Sequence, residues 1–370
     1  TDPRQIRALL RHHGIRGGRP RGQHFLVDRA VLHRIVEAAR LQPEDTVLEI
    51  GAGFGVLTQR LAAAAGRVIA VEVDDRLFGV LQELFGAVPN VTLVHADART
   101  LDLSPYVHDR AYKMVSNLPY SVASPLVMRL LSTPPRPVEM VVMVQLEVAQ
   151  RMVGAPGSMS YLTVFVQLHA RTQLLFRVPP RAFVPPPEVE SAVVRLVPYP
   201  EPLAQGEHLA RLLRIVNAGF AEKRKQLHNA LRGRLRLAPE TVQQALVAAG
   251  IDPARRAETL SLDEWLRLEQ ALAPYVPSKA ASYLPYETQP EALMGLPTGR
   301  SRPAGRRRSP GPPALPDRPS GTPWRGVRDS APASRGGSKW GSRSRLCRAA
   351  RRRGRAGARA PGRVQRMPHA

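Results

Sequence analysis

Short apolar runs recur along the first half of this chain, and the segments between them carry apolar residues three or four positions apart. Residues 47–50, 67–72, 91–94, 112–116 and 138–144 have the length and composition of buried strands. Val31, Leu32, Ile35 and Val36 share one face of a helix that Asp28 can cap. Val56, Leu57 and Leu61 mark a second helix, and Leu77, Val80, Leu81 and Leu84 a third. Buried strands alternating with amphipathic helices predict an α/β fold with a parallel, doubly wound, Rossmann-like sheet. Ahead of it, Thr1-Asp2-Pro3 opens a helix through Ile6, Leu9 and Leu10 that ends at Gly14, and Arg16, Arg19 and Arg21 lie in a Gly-rich basic arm.

After Met152 the pattern changes. Residues 174–178 and 192–197 read as an antiparallel pair joined by the Pro-dense stretch 179–187. Helical periodicity then resumes from about residues 207, 222, 240 and 262, closed by Pro274 and Pro277. Beyond that point Pro, Gly, Ser and Arg dominate without apolar periodicity, which predicts a disordered tail. The expected organisation is a sheet domain over 1–199, a small all-helical domain over 200–276 and a basic tail over 277–370.

Charge sharpens this division. The formal net charge is +24, but residues 300–370 hold 20 Lys and Arg against 2 Asp and Glu, leaving +6 for the rest. An anionic partner, nucleic acid first, is the expectation. The tail either adds sequence-independent attraction to phosphates or is an incidental extension. Cys347 is the only cysteine, which excludes an internal disulfide framework and a Cys-rich zinc site; no metal is expected. No apolar run approaches the ~20 residues of a membrane span and no signal-peptide pattern opens the chain, so the expectation is a soluble cytoplasmic protein without a membrane partner.

In doubly wound sheets ligands bind beyond the carboxyl ends of the strands. Glu49, Gly51-Ala52-Gly53-Phe54-Gly55, Glu72, Asp97 and Asn117 all fall at such ends. The glycines permit a sharp strand-to-helix turn with close backbone approach to a ligand, although a plain tight turn uses them too. Val56 stands where a dinucleotide fingerprint wants its third glycine, so a pyrophosphate is not indicated. Glu72 suits ribose hydroxyls and Asp97 an adenine amino group. With no phosphate-binding Lys nearby, S-adenosylmethionine is the cofactor that fits.

Asn117-Leu118-Pro119-Tyr120 then reads as a grip on an adenine. The Asn117 side chain and the Leu118 carbonyl can accept both N6 hydrogens, and Tyr120 offers a stacking face. Phe183, framed by prolines, is either the opposite face or a core aromatic.

The ordered set Gly22-Gln23-His24-Phe25-Leu26, Glu49-Ile50-Gly51-Ala52-Gly53-Phe54-Gly55, Asn117-Leu118-Pro119-Tyr120 and Phe183-Val184-Pro185-Pro186-Pro187 with Ser191 resembles the ribosomal RNA adenine N6,N6-dimethyltransferases. The resemblance covers about residues 3–275 and is to the small-subunit (16S) enzymes in particular. Macrolide-resistance methyltransferases acting on 23S RNA share the first motifs. Residues 219–227 and 256–262 favour the 16S group. The resemblance implies a methyltransferase sheet using S-adenosylmethionine, with Gln23, His24 and Leu26 at the cofactor entrance, Gly51, Gly53, Glu72 and Asp97 around the nucleoside, and Ala98 meeting the adenine through its backbone. It makes Asn117, Leu118, Tyr120 and Phe183 the catalytic set, and 16S rRNA within the 30S subunit the partner of a monomeric enzyme. His24 stands where the family usually has Asn. Arg16, Arg19, Arg21, Lys223, Arg224 and Lys225, with Arg232, Arg234 and Arg236, are candidate phosphate contacts. A 23S rRNA adenine methyltransferase of the macrolide-resistance type, a non-catalytic ribosome-assembly or transcription factor of the same fold, and a DNA adenine methyltransferase are the rival readings.

Overall fold

The computed structural model of the chain describes residues 24–107, 110–222 and 224–278, all within one unit, Thr1–Arg300. The expected amino-terminal helix and basic arm, and all but the first two residues of the tail, lie outside the described residues.

Strand β1 (Phe25–Leu26) leads into helix α1 (Arg29–Ala39). The Asp28 carboxylate accepts from the Ala30 and Val31 N–H groups, and Arg40 ends the helix in a left-handed conformation at φ 45°. The chain then alternates through β2 (Thr46–Ile50), α2 (Val56–Ala64), β3 (Arg67–Glu72), α3 (Asp75–Phe85), β4 (Val91–His95), α4 (Ser104–Val107), β5 (Tyr112–Asn117), α5 (Ala123–Ser132) and β6 (Glu139–Gln145). All five expected strands form, each end within one residue of its expected limit.

These strands are parallel, in the spatial order β4-β3-β2-β5-β6. The chain runs outward from β2 to β4 and then crosses back to β5 on the other side of β2. That reversal splays the following segments apart and opens a crevice beyond the carboxyl ends of β2 and β5.

Next come α6 (Leu146–Met152), α7 (Tyr161–His169), β7 (Ala170–Val178), a 3₁₀ turn at Pro180–Ala182, β8 (Phe183–Val184) and β9 (Ser191–Pro198). Strand β9 lies antiparallel between β6 and β7 and completes a seven-stranded sheet. The expected antiparallel pair therefore forms, with β7 starting earlier because it pairs with β9 as far as Ala170 opposite Pro198. Helix α7 was not legible in the apolar pattern because it is buried nearly all round, from Tyr161 to Val166, and shows no single stripe. A second, two-stranded ladder joins β1 to β8, with Phe25 opposite Val184 and Leu26 opposite Phe183.

Helices α8 (Gly206–Phe220), α9 (Leu227–Leu235), α10 (Pro239–Ala248) and α11 (Leu262–Leu272) follow. The helix expected from about residue 222 begins only at Leu227. Residues 221, 222 and 224–226 are exposed and turn, with the Lys225 N–H donating to Glu222 O. The helix starts where Leu227, Ala230 and Leu231 supply a buried face.

Period-two alternation sets the layers. Leu48, Ile69, Met114 and Met140 face one side of the sheet and share an apolar cluster with α5, α7 and α8 to α11. Val47, Val68, Val115 and Val141 face the other side and pack with α1 and α2.

Candidate active site

Three glycines shape the first wall. Gly51, Gly53 and Gly55 have φ of 73°, 58° and 71°, conformations that side-chain-bearing residues rarely adopt. A Cβ on Gly51 would sit 3.1 Å from Pro119 Cδ, so the glycine loop and the Asn117-Leu118-Pro119-Tyr120 turn touch through this position. Between them β2 and β5 are pinned by a buried hydrogen bond of 2.9 Å from the Ile50 N–H to Ser116 Oγ.

Together these segments border a cavity of about 1310 Å³ at the carboxyl ends of the parallel strands. Its wall includes His24, Leu26, Gly51, Gly53, Glu72, Asp97, Ala98, Asn117, Leu118 and Tyr120, ten of the residues expected to form the site. Gln23, Arg16, Arg19, Arg21 and Lys223 lie outside the described residues. Arg224 and Lys225 are exposed in the turn before α9, away from the cavity wall, and Lys225 pairs with Glu222 at 2.6 Å.

The expected stacking role of Phe183 needs correcting. Its ring is buried among the cluster that holds Leu32, Ile35, Leu57 and Val193, and it is absent from the cavity wall. The β1–β8 ladder pairs it with Leu26, and both side chains belong to that apolar cluster. Residues 185–189, which follow it, line the cavity instead.

Each carboxylate has a distinct environment. Glu72 is buried; its Oε2 accepts from the Gly53 N–H at 2.8 Å and its Oε1 from the Val73 and Asp74 N–H groups at 2.9 and 3.0 Å. Three of its roughly four acceptor sites are thus committed to holding the loop, leaving about one for a ligand hydroxyl. Asp97 is gripped by Arg99, with Nη2 at 2.6 Å and Nε at 3.0 Å from Oδ2, and that bonding holds its carboxyl below the usual range. The Ala98 carbonyl accepts from the Arg129 guanidinium. Glu49 is buried, accepts from the Thr58 hydroxyl at 2.6 Å, and is pushed up to about 8 by desolvation.

The Asn117-Leu118-Pro119-Tyr120 turn presents its groups separately. The half-buried Asn117 amide makes no hydrogen bond to another described residue. Leu118 is 1% exposed with its side chain in the core, so it offers the cavity only backbone. The Tyr120 hydroxyl lies 2.6 Å from Ser191 Oγ, and its ring centroid is 5.7 Å from that of His24, tilted by 30°. His24 Nδ1 donates to Pro185 O at 2.9 Å, since a carbonyl oxygen can only accept. The His-for-Asn departure thus puts a second planar ring beside Tyr120.

Several site residues were not singled out from the sequence. Val73, 55% exposed on the cavity rim, directly follows Glu72, and Arg99 lies two positions beyond Asp97. Neighbourhood to a strand-end carboxylate was the available signal for both. Thr58, Ser116 and the hydroxyl role of Ser191 had none: Thr58 reaches Glu49 from α2, and the two serines act across strands. Among the described residues no helix is long and apolar enough to cross a membrane.

Comparison with known proteins bears on this cavity. Residues 18–274 match the family described as ribosomal RNA adenine dimethylase. The chain belongs to that family. The dimethylase is 43% identical over 265 residues to a ribosomal RNA small subunit methyltransferase A of Dehalococcoides mccartyi, covering 71% of this chain and 91% of the relative. It is 41% identical to the protein of that name from Moorella thermoacetica, covering 73% and 97%. Among solved structures it resembles a dimethyladenosine transferase from Plasmodium falciparum, at a TM-score of 0.57 and 25% identity over 69% of this chain and all of that one. It also resembles the 23S rRNA methyltransferase ErmE, at a TM-score of 0.55 and 33% identity over 67% and 99%. The free Asn117 amide and the Tyr120 ring, tied to Ser191, lie on the wall of the same cavity.

Proposed function

We propose that this dimethylase transfers methyl groups from S-adenosylmethionine to N6 of two adjacent adenosines near the 3′ end of 16S rRNA in the 30S particle, a step of ribosome biogenesis. The observation that carries the reading is the unpaired Asn117 amide next to Tyr120 on the wall of a cavity built from a glycine loop and strand-end carboxylates.

The residues fit such a cofactor. Gly51 and Gly53 allow close backbone approach, the remaining Glu72 acceptor site suits a ribose hydroxyl, and Asp97 with the Ala98 N–H suits the adenine edge. His24 and Leu26 border the same space, and Gln23 is assigned beside them by resemblance. When bound, S-adenosylmethionine supplies an electrophilic methyl group.

The chain's own work is on the adenine. The N6 lone pair is delocalised into the ring and attacks poorly. Acceptance of its two hydrogens by Asn117 Oδ1 and the Leu118 carbonyl draws the nitrogen toward sp³ and aims it at the methyl carbon. S-adenosylmethionine would supply the methyl group and leave as S-adenosylhomocysteine, and the methylated ammonium would lose its proton to water. A second passage completes the dimethylation. Extruding the base costs a few kcal/mol, and stacking on Tyr120 returns roughly 1–3 kcal/mol.

Residues 200–276 are assigned RNA binding, with Lys223, Arg224, Lys225, Arg232, Arg234 and Arg236 as phosphate contacts, joined by Arg16, Arg19 and Arg21. The enzyme acts as a monomer in the cytoplasm, where the small subunit assembles. The 33% identity to ErmE favours a second reading, a 23S target.

Incubation with labelled S-adenosylmethionine and undermethylated 30S or 50S particles separates the two, with label expected in 16S RNA. Label confined to 23S RNA refutes the 16S target. Asn117→Ala is expected to lower kcat by about 100-fold or more, the cost of removing an acceptor aimed at developing charge. Unchanged activity in that variant would refute the catalytic role of Asn117, and a wild type that labels neither particle would favour a non-catalytic binding factor.

A further inference from the structure

We propose that Ser191 is a positioning residue that sets the plane of the Tyr120 ring against the target adenine, a role that rests on the adenine-methylation reading above. Tyr120 lies in a turn beyond the end of β5, outside any strand ladder. A ring so placed is free to rotate unless something holds its far end. Ser191 does so: its Oγ lies 2.6 Å from the Tyr120 hydroxyl.

The anchor itself is fixed. Ser191 is fully buried at the start of β9, paired with Gln145 of β6 on one side and Val178 of β7 on the other. It is tied on both flanks of an interior strand, so its hydroxyl has a defined position in the frame of the sheet. Gln145 is itself on the cavity wall, which puts the anchor one strand away from the site. Burial raises the Tyr120 phenol above its ordinary value, keeping it protonated and able to share a hydrogen with Ser191 at neutral pH.

The chemistry explains why an anchor is useful. The N6 lone pair must align with the methyl carbon, and the plane of the base is set by the ring on which it stacks. A tilted Tyr120 carries the base and its N6 off line, and misplacement of about 1 Å can cost ~10²-fold in rate. Ser191 is not part of the cavity wall, so it acts through Tyr120.

A double-mutant cycle tests this with the full chain. Ser191→Ala, Tyr120→Phe and the double variant are assayed for methyl transfer to whichever particle the wild type labels. Affinity for S-adenosylhomocysteine is measured by calorimetry and folding by thermal unfolding. Ser191→Ala is expected to lower kcat about tenfold, a fraction of the full misalignment cost. S-adenosylhomocysteine affinity and melting temperature should stay near wild type, and Ser191→Cys should recover part of the rate. In the Tyr120→Phe background, where the hydroxyl is gone, Ser191→Ala should cost nothing further.

Equal losses in both backgrounds, or wild-type kcat in Ser191→Ala, overturn the positioning role while leaving the adenine reading intact. If Ser191→Ala melts far below wild type, the isosteric Ser191→Cys carries the cycle, and full additivity there overturns the role. A wild type that methylates neither particle overturns the adenine reading, and the role of Ser191 falls with it.

Discussion

Asn117, Glu49 and Asp97 lie at or next to the carboxyl ends of strands of one sheet, yet their surroundings give them different chemistry. Glu49 is desolvated, and its pKa moves from the ordinary 4.5 to about 8. The folded state therefore holds a proton that the unfolded chain releases near pH 4.5. The stabilisation from that proton is complete below this pH and is lost as pH rises toward 8. Glu49→Gln mimics the protonated form, so its melting temperature should fall less than that of the wild type between pH 5 and 9. Parallel curves would refute the assignment. Asp97 goes the other way, because the Arg99 side chain bonds its carboxylate and keeps it ionised to lower pH. In Arg99→Ala the carboxyl should return toward its ordinary range. S-adenosylhomocysteine affinity, measured by calorimetry down a pH series, should then begin to weaken at a higher pH than in the wild type. The carboxylates themselves were legible because each ends an apolar run. Their partners were less so: Thr58 meets Glu49 from a helix whose geometry no spacing rule encodes, and Arg99 is marked only by its place two residues beyond Asp97.

At the scale of elements, the β1–β8 ladder is the main departure from expectation. Two dipeptides far apart in sequence pair and bring His24 and residues 185–189 to the same cavity. Runs of two residues are too short to carry periodicity, so the motifs at Phe25-Leu26 and Phe183-Val184 could be read as chemistry but not as structure. The consequence falls on Phe183. Its ring is 2% exposed, so Phe183→Ala should destabilise the protein by about 3–5 kcal/mol, the usual cost of emptying a core aromatic site. Urea unfolding measures this; a wild-type midpoint would return Phe183 to the cavity wall. The parallel strands, by contrast, were legible nearly to the residue, because a strand buried on both faces is a continuous apolar run. The start of α9 was misjudged for a related reason: charged residues after Phe220 fit a helix by propensity, but without a buried face no helix forms there.

For the whole molecule, charge and reach matter more than any one contact. The described part carries the cavity, the sheet and the four helices α8 to α11, while most of the net charge belongs to residues 300–370. If those arginines meet phosphate, truncation after residue 278 should weaken RNA binding at low salt and flatten its salt dependence, while the nucleotides methylated stay the same. Filter binding across a salt series gives the slopes. Identical slopes would make the tail a passenger in binding.

Periodicity alone determined the five parallel strands and helices α1 to α3, and the motifs at strand ends pointed to a nucleoside cofactor and an adenine there. Both are local properties: side-chain spacing follows backbone geometry, and strand ends are where a doubly wound sheet opens. Tertiary structure decided what each motif contributes. It buried Phe183, gave His24 a carbonyl partner and a place beside Tyr120, and raised Glu49 by desolvation. It also joined the Tyr120 hydroxyl to Ser191 across the sheet. Such contacts depend on the register of strands far apart in the chain, and register is settled only when the whole core packs.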